Sequence, residues 1–141
     1  MNRLSQFEIF NKTPVLPLLI ALTLVAAPAA AVLPPGNTVQ QWNKIAEDTV
    51  VGSGAFQAEG FIYMAYVSAA VYDAVVAIDG GFEPYGPPIT ASPGASVNCA
   101  VVEASYRTLR YYFDSFPALV ADLDAYYAEA LPNRRRSSTT S

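Results

Sequence analysis

Asp73 is the residue that first invites a chemical reading. It lies in GFIYMAYVSAAVYDAVVAIDGG, residues 60–81, as the single carboxylic acid between Phe61 and Ile78. A lone acid on an apolar segment must find a hydrogen-bond partner. The expected partner is structural: Asp73 caps or bonds a neighbouring helix. The other acids come as neighbours. Glu47 and Asp48 are adjacent, and Asp122 and Asp124 are two apart. Carboxylates at those spacings point different ways on a helix, so they predict solvated faces, not an acid–base pair or a metal site. Glu103 and Arg107 stand four apart in the favourable order for a helix-surface ion pair. Gly52-Ser53-Gly54 has the look of a phosphate loop, but it follows a helical pattern and lacks the P-loop lysine, so it predicts a turn. Cys99 is expected to behave as a small buried hydrophobe. The tyrosines at 63, 66, 72, 106, 111, 112, 126 and 127 are expected to fill the core with polar tips outward.

Composition removes several chemistries. The chain contains no histidine. A Ser-His-Asp triad, a Cys-His dyad, the common zinc sites and imidazole acid–base catalysis are therefore excluded. A single cysteine excludes an internal disulfide. A net charge of −4 has the wrong sign for a nucleic-acid binder. The length of 141 residues allows one domain, and 52% hydrophobic residues argue for a folded one.

The segments that must position these residues are helical. Asn37 with Gln40 forms a capping-box pattern. Val39, Trp42, Ile45, Ala46 and Val50 then recur at helical spacing as far as Gly52-Ser53-Gly54. A second helix is predicted from about Ala55 to Asp79, stopped by Gly80-Gly81. The loop FEPYGPPITASPG follows. Ser92-Pro93 predicts the start of a third helix, with serine as cap and proline in the first turn. It carries Val97, Val101, Ala104, Thr108 and Tyr112. Phe116-Pro117 opens a fourth, with Leu119, Leu123, Tyr126 and Ala130, and Pro132 follows its end. No strand competes and no repeat is visible.

The start of the chain has the order of a secretory signal. Arg3 and Lys12 are basic, residues 15–31 are uncharged, and Ala29-Ala30-Ala31 suits a signal peptidase. The expectation is a signal peptide over 1–31, a helical region over 32–131 and a basic, Ser/Thr-rich disordered tail over 132–141. The mature chain is then secreted or otherwise exported. The alternative, a membrane anchor, is weakened by Pro17 and Pro28, which shorten the run.

The second helix raises a question of cover. Ser68 and Asp73 project roughly 140° apart at 3.6 residues per turn, so they make no polar stripe. A helix that is apolar all round is buried in a large core or in lipid. Asp73, Ser68 and the mid-helix tyrosines argue for a core helix and against a stable membrane span. The third helix shows a second apolar face through Cys99, Val102, Tyr106 and Phe113. Four short helices do not enclose two such elements, so a helical partner or a missing C-terminal half is expected.

Three stretches carry a family resemblance: WNKIAEDTVV from Trp42, EGFIYMAYVSAAVYDAVVAIDGGFEPYGPPI from Glu59, and PGASVNCAVVEASYRTLRYYF from Pro93. Together they resemble the N-terminal helical region of secreted vanadium-dependent haloperoxidase-like proteins, of the wider type 2 phosphatidic acid phosphatase superfamily. The likeness covers about residues 37–131 and is one of segment texture. It implies an all-α fold: a four-helix N-terminal part of a larger bundle that binds vanadate, or phosphate in the phosphatases. The family's oxyanion is held by a Lys-x6-Arg-Pro pattern, a Ser-Gly-His segment, and a later arginine and histidine. None is present. Lys44 has Val51 seven residues on, and no Arg-Pro dipeptide occurs. The chain is accordingly expected to be an N-terminal scaffold fragment without catalytic, cofactor-binding or metal-ligating residues, and so without a cofactor of its own. The alternative is a small exported helical protein that binds a full-length relative or another hydrophobic partner.

Overall fold

A computed structural model describes residues 31–131, and every regular element within them is an α-helix. The signal-peptide and tail expectations fall on residues outside this range, apart from Ala31. The helices are α1, Thr38–Gly52; α2, Gln57–Asp79; α3, Val97–Phe113; and α4, Pro117–Ala130. Their starts and stops follow local chemistry. At α1 the Asn37 side chain accepts from the Gln40 amide at 3.0 Å, and the Gln40 side chain accepts from the Asn37 amide at 2.9 Å. This reciprocal pair satisfies two of the amides that a helix start leaves open. Gly80 ends α2 at φ 69°, a left-handed conformation that a β-carbon would strain. Pro117 begins α4 as the sequence predicts.

The start of α3 differs from expectation. Ser96, not Ser92, is the cap, and its hydroxyl accepts from the Cys99 amide. Gly94 adopts φ +75°, and the Ala95 amide donates to the Ser92 carbonyl. Ser92-Pro93 thus builds a turn that delays the helix by four residues.

The four helices pack with α3 in the middle, against α1, α2 and α4. The core is formed by Trp42, Ile45, Ala46 and Val50 of α1, Val67 of α2, Val101, Val102, Leu109 and Phe113 of α3, and Leu123 of α4. Leu109 is fully buried and Trp42 is 1% exposed. Two buried polar atoms in this core, Trp42 Nε1 and Ser105 Oγ, have no hydrogen-bond partner.

The least enclosed element is α2. It is 23 residues long, about 34 Å at 1.5 Å per residue, yet Val67 is its only buried residue. By length and composition it is able to cross a membrane. The other three helices do not enclose it on all sides, the shortfall that its all-round apolarity predicts. The N-terminal half is the barest: Phe61 is 69% and Ile62 50% exposed. Two further expectations are corrected. Cys99 is exposed, on the side of the first turn of α3 away from the core that Val97 packs against. The tyrosines divide: Tyr63, Tyr72, Tyr106, Tyr126 and Tyr127 are half-buried, whereas Tyr111 is 77% exposed and Tyr66 and Tyr112 also lie at the surface.

Candidate functional site

Neither of the neighbouring acid pairs converges on a common point. Glu47 and Asp48 lie on the exposed face of α1, where Asp48 pairs with Lys44. That hydrogen bond holds the Lys44 ammonium above its ordinary value. Asp122 is exposed on α4, while Asp124 turns to α3, accepting from the Tyr106 hydroxyl at 2.7 Å with Arg110 Nε at 3.4 Å. Burial, then the bond to Asp124, keeps the Tyr106 phenol protonated to higher pH than usual. Glu103 and Arg107 form the expected pair, Nε to Oε2 at 2.9 Å. Glu103 also accepts from the Tyr127 hydroxyl at 2.6 Å. All three cations in the described residues, Lys44, Arg107 and Arg110, therefore face a carboxylate.

The Gly52-Ser53-Gly54 turn is consumed by capping. The Ser53 amide donates to Thr49, the Gly54 amide to Val51, and the Ser53 hydroxyl donates to Val50 and accepts from Ala55. Its amides point back into the helix end, so the turn offers no cradle to a phosphate. Among the described residues no cluster of acids and cysteine has the arrangement of a metal site.

Asp73 does more than the sequence suggests. It bonds a loop, not a helix. Its Oδ1 accepts from the Tyr85 amide at 2.7 Å and its Oδ2 from the Gly86 amide at 2.9 Å. The Tyr72 hydroxyl adds a bond to the Glu83 carbonyl at 3.2 Å, and the Tyr72 and Tyr85 rings stand 5.0 Å apart. A β-carbon at Gly86 would lie 3.1 Å from Asp73 Oδ2, so any side chain there makes the carboxylate give way by a few tenths of an ångström. These contacts pin residues 83–86 to α2 and make a strap of the loop 80–96. The strap forms one side of an open cleft of about 530 Å3 between α2 and α3. Its walls are mostly alanine, with Ile89 from the strap and Asp73, Glu103 and Arg107 at the edge. The sequence signalled the lone acid and the proline-rich loop, but nothing in it paired residues twelve and thirteen apart. A second shallow hollow, of about 200 Å3, lies where Val51 and Ala55 meet Gly60, Phe61 and Met64.

No family model matches the chain, and no match is found among curated proteins or solved structures.

Proposed function

We propose that residues 32–131 form a scaffold layer of a larger, exported, all-helical body of the haloperoxidase-like type. In this role the layer supplies wall, not oxyanion ligands. One observation carries the reading: Phe56, which precedes α2, and Phe61, Ile62 and Tyr66 in its N-terminal half leave large apolar side chains exposed near Val51 of α1. Contiguous patches of this kind mark a surface that further helices cover. Lipid is the poorer cover, because the strap lays irregular backbone against α2 and Asp73 sits within the helix. The resemblance supplies the type of body, and the paired cations account for the absent oxyanion role.

Residues 32–131 expressed alone should bind a hydrophobic dye and self-associate, and Phe61→Ser with Ile62→Ser should reduce both. Coexpression with the downstream helices of a haloperoxidase-like protein should do the same without substitution. A dye-silent monomer with a sharp melting transition would overturn the proposal, as would recovery only with lipid vesicles.

The same reading predicts no saturable vanadate binding by titration calorimetry. An oxyanion taken from water needs matching cations. Lys44 is on α1 and is already paired, while Arg107 and Arg110 on α3 each hold a carboxylate. Micromolar binding to residues 32–131 would show that a cation leaves its partner, and the scaffold role would fall.

A further inference from the structure

The strap-edged cleft lies at the C-terminal half of α2, away from the bare surface around Phe61. Ala70, Ala74 and Ala77 of α2 face Ala100 and Ala104 of α3 across it, and Ile89 lies on the strap. A largely apolar recess of about 530 Å3 with a few polar groups at its edge is of the size and kind that small ligands occupy.

Three charged side chains line it, and they are not equivalent. Glu103 and Arg107 neutralise each other. Asp73 has no such counterpart. Its oxygens accept backbone amides, and no lysine or arginine among the described residues pairs with it. A backbone amide contributes only a partial charge, and each carboxylate oxygen keeps a second lone pair. The cleft thus sets one uncompensated negative charge against alanine walls. A ligand that answers both features has a hydrocarbon body and a positive, hydrogen-donating end. The chain's net charge of −4 attracts the same sign.

We propose that this cleft binds an apolar primary ammonium ion, with its alkyl body between α2 and α3 and its N–H groups on Asp73. The site stands independently of what covers the N-terminal half of α2.

The test is titration calorimetry of the full chain with n-hexylammonium, using n-hexanol and n-hexanoate as controls of similar shape. Hexylammonium should bind at one saturable site about tenfold more tightly than hexanol, as expected for a hydrogen bond to a charged group. Hexanoate should bind most weakly, and added salt should weaken the ammonium. Asp73→Asn, which keeps one strap bond, should bring hexylammonium down to the level of hexanol measured on the same variant. Ala104→Leu, which fills the cleft and leaves the strap bonds in place, should abolish binding. Phe61→Ser, at the far end of α2, should leave it unchanged. Equal binding of ammonium and alcohol would overturn the proposal. So would binding that survives Ala104→Leu or disappears with Phe61→Ser, since either would place the ligand on the bare apolar surface.

Discussion

Leu109→Ala should cost about 2–5 kcal/mol of folding stability, the range for emptying a fully buried leucine site. Leu109 is 0% exposed, on α3, which packs against each of the other three helices. A cavity there removes packing from several elements at once, so little collapse is available to heal it. The expected stability of a whole domain is about 5–15 kcal/mol, so one such change removes a large share. Trp42 is the only tryptophan, buried in the same core, and its emission reports the transition. In dilute urea titrations the midpoint of Leu109→Ala should fall far below the wild type. Leu119→Ala, at a half-buried position of α4, should shift it by less than half as much. Similar shifts for the two would mean that the centre of the bundle is not around α3.

Asp73→Ala should release the strap. Two hydrogen bonds to a charged acceptor are lost together, each worth about 1.5–3 kcal/mol in general, less where water replaces them. The strap is largely exposed, so a global loss of about 1–3 kcal/mol is expected, with the greater effect local. Amide exchange at Tyr85 and Gly86 should accelerate by about tenfold or more, while Leu109 and its neighbours hold their protection. Asp73→Asn retains one acceptor and should fall between. Gly86→Ala should show the same local loosening, because its β-carbon crowds Asp73 Oδ2. Unchanged exchange at residues 85 and 86 in Asp73→Ala would show that the tyrosine contacts alone hold the strap.

What the sequence made legible was mostly short-range. The Asn37–Gln40 box, the Gly80 stop, the Pro117 start and the Glu103–Arg107 pair each depend on residues within one turn, and each is found where expected. Ser92-Pro93 misled because a helix-start signature and a turn use the same residues, and Gly94 decided between them. Cys99 misled because type predicts burial only when a neighbour stands opposite. The cleft was invisible for a different reason. Alanines on α2 and α3 look like ordinary helix formers until a strap held from Asp73 gives them a third wall. The bare face of α2 was foreshadowed by its uniform apolarity, which no set of three neighbours could have matched.

The Tyr106–Asp124 and Tyr127–Glu103 bonds cross between α3 and α4 in opposite directions, with the two rings stacked 4.1 Å apart. Each bond alone would tolerate sliding, since a long side chain swings. Two bonds donated from opposite helices act as a vernier: movement of either helix along its axis shortens one reach while lengthening the other. A slip of one turn, about 5.4 Å, would break both and unstack the rings. The α3–α4 hairpin therefore keeps a single register by its own devices. Changes on its outer surface, including whatever contact another body makes there, can accumulate without resetting the alignment of the core behind it.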